Sequence, residues 1–184
     1  MISIIILSAV IIVIVGTIVI YNKLVRLRNV ARSSWSDIDV QLKKRFNLVP
    51  SLVETVKAYA KHESGVFEKV TEARAKGMQG GKPGELAESS NMLSSTLKSL
   101  FAVAEAYPEL KANSNFLRLQ GQFQELEESI ESARRYYNAV VRDYNTATET
   151  FPSVLIASTF GFQQKEFFEI ESEEARKPIK PDFS

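Results

Sequence analysis

Two patterns of apolar residues divide the chain. From Ile2 to Tyr21 the run is free of charge and mostly Ile and Val, with Ser3, Ser8, Gly16 and Thr17 its softest positions. About 20 helical residues at about 1.5 Å each reach about 30 Å, the thickness of a hydrocarbon core. In lipid a helix satisfies its own backbone, so helix prevails over the β-branched composition. After Tyr21 the run gives way to an apolar stripe with polar faces. Leu24, Leu27, Ala31, Trp35, Ile38, Leu42 and Phe46 follow at helical spacing, with no Gly or Pro among them. This predicts that the anchor continues as one long helix. Its weak point is Ser33-Ser34, where Ser34 with Asp37 offers the cap of a fresh helix.

Further breaks follow. Asn47 and Pro50 predict a turn, with proline in the first turn of a second helix, where its missing N–H is no loss. That helix carries Leu52, Val56, Phe67, Val70 and Ala73 and stops near Gly77. The Gly- and Pro-rich 78–84 (MQGGKPG) predicts a flexible loop. A third helix carries Leu86, Leu93, Leu97, Leu100 and Ala104 and ends near Pro108. The fourth shows Phe116, Leu119, Phe123, Leu126, Ile130, Ala133, Tyr137, Val140 and Tyr144 in steps of three and four. That is the seam of a coiled-coil-like bundle. Phe151-Pro152 ends it, and a short apolar segment (Val154 to Ala157) and a charged tail ending in KPIKPDFS, read as extended, follow. The expectation is an all-α protein: a single transmembrane anchor over 1–21, a bundle of about four long helices over 22–163, and a tail over 164–184.

Length and charge refine this picture. Of 184 residues, about 160 remain beyond the anchor, enough for one domain. A cleaved signal peptide needs a basic start and a small-residue cleavage site, but nothing basic precedes Ile2 except the N-terminal amine, and the apolar run is too long. Lys23, Arg26, Arg28 and Arg32 follow the anchor with no acid until Asp37. The positive-inside rule then predicts a cell-membrane protein, N-terminus outside and bundle cytoplasmic, with these four side chains facing lipid headgroups. A plain stop-transfer flank accounts for the same residues. Residues 22–76 hold 12 basic and 6 acidic side chains, and 77–184 hold 11 and 16. The near half is thus basic and the far half acidic, suited to docking toward lipid or to pairing across the bundle. A net charge of +1 argues against nucleic-acid binding. The chain has no cysteine, which removes disulfides and thiol chemistry.

Candidate chemistry is sparse. His62 is the only histidine, and Tyr59 stands where a Glu-x-x-His metal motif needs an acid. GGKPG lacks the spacing and the Ser/Thr of a phosphate loop. We therefore expect no catalytic residues, no cofactor and no metal. Tyr137-Asn138 and Tyr144-Asn145 recur seven residues apart on neighbouring stripes of one helix. They suit a polar partner. The simpler reading has the tyrosines filling the core edge with wet hydroxyls and the asparagines making inter-helix contacts.

Three long stretches resemble the LemA protein family: 21–63 (YNKLVRLRNVARSSWSDIDVQLKKRFNLVPSLVETVKAYAKHE), 104–120 (AEAYPELKANSNFLRLQ) and 134–162 (RRYYNAVVRDYNTATETFPSVLIASTFGF). The resemblance implies a bacterial-type membrane protein with one N-terminal span and an antiparallel helical bundle. The family includes a magnetosome-associated branch linked to membrane shaping, and the resemblance does not fix a biochemical activity. Asn22, Trp35, Asp39, Gln41, Arg45 and Pro50 match the first signature and are candidate interaction or structural residues. Buried packing is the simpler role for them. The expected function is a non-enzymatic membrane scaffold or adaptor, self-associating through weak lateral contacts that confinement in two dimensions amplifies, with further protein partners. The alternative is a membrane-tethered sensor that binds a small ligand or a partner protein in a bundle groove.

Overall fold

One helix of 56 residues, α1 (Ile2–Lys57), carries the chain from its apolar start to the far end of the bundle. The structure is a computed structural model that describes residues 1–169. Up to Val15 every side chain of α1 is exposed, and α1 is long and apolar enough near its N-terminus to cross a membrane. From Leu24 onward one stripe of the same helix (Leu24, Ala31, Ile38, Leu42, Phe46, Val49, Leu52, Val56) is buried. The helix does not break at Ser33-Ser34. Ser34 is buried, and its hydroxyl donates to the Val30 carbonyl at 2.9 Å within the helix rather than capping a new one.

Nor does it break at Asn47 and Pro50, where the sequence pattern predicts a turn. Proline removes the N–H that would reach the carbonyl of Phe46 four residues back. Arg74 supplies the missing donor, its Nε–H reaching the Phe46 carbonyl at 2.8 Å. Gly77 lies against the Phe46 ring, and a Cβ there would overlap the ring. A neighbouring helix thus completes the backbone that proline leaves open. The turn falls instead at 58–63, with His62 exposed in it.

Beyond that turn come α2 (Ser64–Met78), α3 (Pro83–Glu105), the single turn α4 (Pro108–Lys111), α5 (Ser114–Glu149) and α6 (Ser153–Thr159). Pro83 opens α3 at a position that needs no donor, and the Glu85 carboxylate accepts the Lys82 N–H at 3.1 Å. Asn113 caps α5, its Oδ1 accepting from the N–H groups of Asn115 and Phe116. Its Nδ2 donates to the Tyr59 hydroxyl at 3.0 Å, which ties the start of α5 to the α1–α2 turn.

The main seam joins α1 to α5, antiparallel along most of α5. Leu24 shares a cluster with Tyr144 and Ala147, Trp35 meets Tyr137 at 5.4 Å between rings, and Arg45 meets Glu127. Tyr137 and Tyr144 of the predicted a/d set therefore face α1 in the same chain. The α2–α3 hairpin packs on the far half of α1. The backbones of α3 and α5 stand farther apart and meet through long side chains, with Phe101 edge-on to Phe116 and Phe123 at 6.1 and 6.2 Å. After α6 the chain runs back along the bundle as an extended segment, 162–168. The expected tail from 164 thus begins on the bundle surface, while its KPIKPDFS end lies outside the described residues.

The Arg74 contact predicts a specific coupling. Arg74→Met should cost about 1–2 kcal/mol in the wild-type background. With Pro50→Ala restoring the helical N–H, that cost should fall to about 0.5 kcal/mol or less. A denaturant double-mutant cycle measures the difference; no coupling would mean that Arg74 acts elsewhere.

Candidate functional site: the α1–α5 seam and its clasped C-terminal segment

A charge in a helical core must be paired and hydrogen-bonded. Arg45 sits on the buried stripe of α1, fully buried, and its planar fork suits several acceptors at once. Nη1 donates to the Glu127 carboxylate of α5 at 2.6 Å and to the Ser94 hydroxyl of α3 at 3.0 Å. Nη2 donates to the carbonyl and hydroxyl of Ser90 at 3.0 and 2.7 Å. One side chain thereby joins three helices. Only Nε finds no acceptor among the described residues. Glu127 is 43 % exposed, so its carboxylate also reaches water. Above this pair the gap between α3 and α5 opens into a groove of about 430 Å³, with Leu97, Phe101 and Phe123 on its walls and Glu127 at one end.

The second arrangement uses the heptad Tyr-Asn pairs. Asn145 exchanges two hydrogen bonds with the backbone of Lys165: its Nδ2 donates to the carbonyl at 2.9 Å and its Oδ1 accepts the N–H at 2.9 Å. Asn138 does the same with Phe168, at 3.2 and 2.8 Å. The hydroxyls of Tyr144 and Tyr137 donate to the carbonyls of Gln163 and Glu166 at 2.9 and 2.8 Å. Seven helical residues rise about 10.5 Å, and three extended residues cover about 10 Å. The helix heptad and the three-residue step of the segment therefore stay in register. The tyrosine hydroxyls are not wet and the asparagines do not bridge helices, as the simpler sequence reading had it. All four side chains hold the chain's own extended backbone. Burial, and secondly the Glu166 carboxylate, push the Tyr137 phenol up to about 12. Burial also raises Tyr144, against a lowering pull from Arg28. Both remain donors at neutral pH. The Tyr137 contribution is intact below pH 10, where the unfolded phenol ionises, and is lost as pH passes 12.

The clasped segment also meets α1. Phe162 lies edge-on to Tyr21 at 5.6 Å and under the Arg28 guanidinium at 5.0 Å. Phe168 is buried between Trp35 at 5.9 Å and Arg134 at 5.6 Å. Trp35, Tyr137, Asn138, Tyr144 and Asn145 are therefore brought together in one place. Arg45 forms the separate three-helix junction, and Pro50 lies exposed beyond it, inside α1. Asp39 pairs with Lys43 on the surface at 2.6 Å, and Gln41 lines a shallow groove of about 410 Å³ beside Lys44 and Glu125. Asn22, Lys23, Arg26 and Arg32 are exposed on α1, and Arg28 is exposed but held over Phe162. Sequence reasoning missed Ser90, Ser94 and Glu127, which carry no signal until α3 and α5 flank Arg45. It also missed Phe162 and Phe168, whose spacing becomes meaningful only beside the Tyr-Asn heptad. Among the described residues no group of three His, Cys, Asp or Glu side chains is placed to hold a metal.

The LemA family model matches residues 34–183. The chain belongs to the LemA family. The match takes in Trp35, Arg45, Glu127 and both Tyr-Asn pairs, and it begins after the basic collar. Among named relatives, the magnetosome protein MamQ 2 of Paramagnetospirillum magneticum is 23 % identical over 175 residues, covering 81 % of this chain and 64 % of that protein. The magnetosome protein MamQ of Magnetospirillum gryphiswaldense is also 23 % identical, over 80 % of this chain and 64 % of its own length. Protein LemA of Metamycoplasma hominis is 25 % identical over 134 residues, 71 % of this chain and 60 % of that protein. The chain thus spans somewhat under two thirds of the length of these relatives.

Three substitutions test this LemA-family site. Glu127→Ala leaves Arg45 buried without a counter-charge, and we expect a loss of about 2 kcal/mol, below the figure of about 3–5 for fully buried pairs because Glu127 is half in water. Arg45→Met frees Glu127 to turn to solvent and should cost less than half as much; urea unfolding compares the two. Asn145→Ala removes both bonds to Lys165 and should weaken the clasp by about 1–2 kcal/mol. Amide exchange at Lys165 and Phe168 should then rise about tenfold, while the amides of 119–130 in α5 stay protected.

Proposed function

We propose that this chain is a non-enzymatic, membrane-anchored helical scaffold that self-associates laterally, with its bundle on the cytoplasmic face. The observation that carries the reading is α1 itself. The same unbroken helix offers a fully exposed apolar stretch at one end and the buried core stripe at the other. Whatever the bundle binds is therefore fixed rigidly to the anchor, and holding partners at a bilayer is what such a coupling serves. The α5 seam is filled by α1 of the same chain, so the contacts between copies fall to the anchor and the outer surfaces. Confinement to a bilayer raises effective concentration enough for weak contacts to act. Membership in a family that includes magnetosome proteins agrees with a role in organising membrane.

A second reading rests on the α3–α5 groove. Its apolar walls and the Glu127–Arg45 pair suit a small ligand, whose binding would close α3 toward α5 and pass strain along α1. A ligand-dependent thermal shift that Glu127→Ala abolishes would favour this sensor role.

The absence of cysteine makes self-association directly measurable. Val13→Cys in the exposed anchor should give disulfide-linked dimers in native membranes well above those of an unrelated single-span protein at equal density. A chain that stays uncrosslinked there and runs as a monomer in mild detergent would overturn the scaffold reading.

A further inference from the structure

Residues 150–164 (TFPSVLIASTFGFQQ) contain no charged side chain, in a chain where charged residues are 24 % of the total. This stretch forms the corner after α5, the short helix α6 and the turn back into the clasped segment. One side of α6 is covered: Ala157 and Ile156 join Leu24, Tyr21 and Ile20 of α1 in a small apolar cluster. The other side is not. Phe151 is 80 % exposed, Leu155 57 % and Phe160 54 %. Large apolar side chains grouped in this way mark an interaction surface rather than the scattered exposure of an ordinary monomer.

The register of the bundle places this surface. Trp35 lies level with Tyr137, and α1 and α5 run in opposite directions. Fourteen residues further along each helix, about 21 Å, lie Tyr21 on α1 and Phe151 past the end of α5. Phe160 confirms the level, its ring edge-on to Tyr21 at 4.9 Å. Tyr21 is also where the apolar anchor ends and the basic collar begins. The uncharged corner thus stands at the height of the membrane interface, continuous with the exposed apolar surface of α1. Its three phenylalanines, of which Phe160 and Phe162 touch Tyr21, give it the aromatic composition of an interfacial belt. Lys23 and Arg26 are exposed at the same end, one turn nearer the bundle, where headgroup phosphates would meet them.

We infer that Phe151, Leu155 and Phe160 dip into the boundary between headgroups and acyl chains, giving the protein a second membrane contact beside its anchor. The occupant of this face is the lipid surface. A single helix leaves a domain free to rotate about its axis, and two contacts do not. The clasp and α6 therefore set which side of the bundle faces along the membrane and which faces away. The inference rests on the reading of Ile2–Tyr21 as a membrane anchor.

The experiment uses the full chain in phosphatidylcholine–phosphatidylglycerol vesicles, with single cysteines carrying an environment-sensitive fluorophore. Leu155→Cys reports the proposed contact. Val13→Cys reports the anchor, and Leu117→Cys an equally exposed site at the far end of α5. Lipids spin-labelled at a shallow acyl position should quench the Leu155 label at least threefold more than the Leu117 label. Equal quenching at Leu155 and Leu117, with Val13 still quenched by deep labels, overturns the inference and leaves the anchor standing; this holds whether the Leu155 label is in water or shielded by protein. A Val13 label that lipid spin labels do not reach overturns the anchor reading and the inference with it.

Discussion

Along the α1–α5 seam, Leu24 clusters with Tyr144 and Ala147, Trp35 faces Tyr137 and Arg45 reaches Glu127, in one continuous antiparallel register. The long anchor helix would be an unsupported rod in water without this pairing, because a lone helix gains little from its own backbone bonds. With it, α5 covers the buried stripe of α1 over most of its own length. The end of α5 is delivered to the level of Tyr21, and the chain must turn there. The position of α6, the start of the clasped segment and the exposure of Phe151 all follow from where that seam ends.

The clasp then works by matching two repeats. A helix that presents Asn and Tyr every seventh residue offers hydrogen-bonding groups about 10.5 Å apart, and an extended chain offers equivalent backbone groups every third residue at nearly that distance. Asn145 and Asn138 satisfy both the N–H and the carbonyl of the residues they meet. Such recognition reads backbone, while the Phe162 and Phe168 rings seat against Tyr21 and Arg28 and against Trp35 and Arg134. Among the described residues the segment has no sheet to join, and side chains stand in for a neighbouring strand.

The same economy of polar groups governs α1. Proline at position 50 removes one donor, and Arg74 provides one. Arg45 brings a charge into the core, and Ser90, Ser94 and Glu127 surround it with acceptors. In each case a group that would break a helix or a core in isolation is kept because a second helix answers it. These answers also fix α2 and α3 against α1 more specifically than apolar contacts do.

The anchor, the all-α class and the α5 seam were legible in the sequence because each is a local matter of apolar spacing. Ile2–Tyr21 has the length and composition of a span whatever follows it, and the three- and four-residue steps from Phe116 to Tyr144 describe one face of one helix. Asn and Tyr at seven-residue spacing were visible too, but not what they hold. Their partner lies about 20 to 30 residues further along the chain, in a segment with no periodicity of its own to announce it. Pro50 reads as a turn by local rules, because the Arg74 donor that keeps the helix intact comes from another helix. Arg45 reads as one more basic residue until three helices close around it. Local backbone preference and apolar spacing are written residue by residue, so the sequence alone determined them. The partners of polar groups depend on which segments meet, and that was decided only when the helices packed.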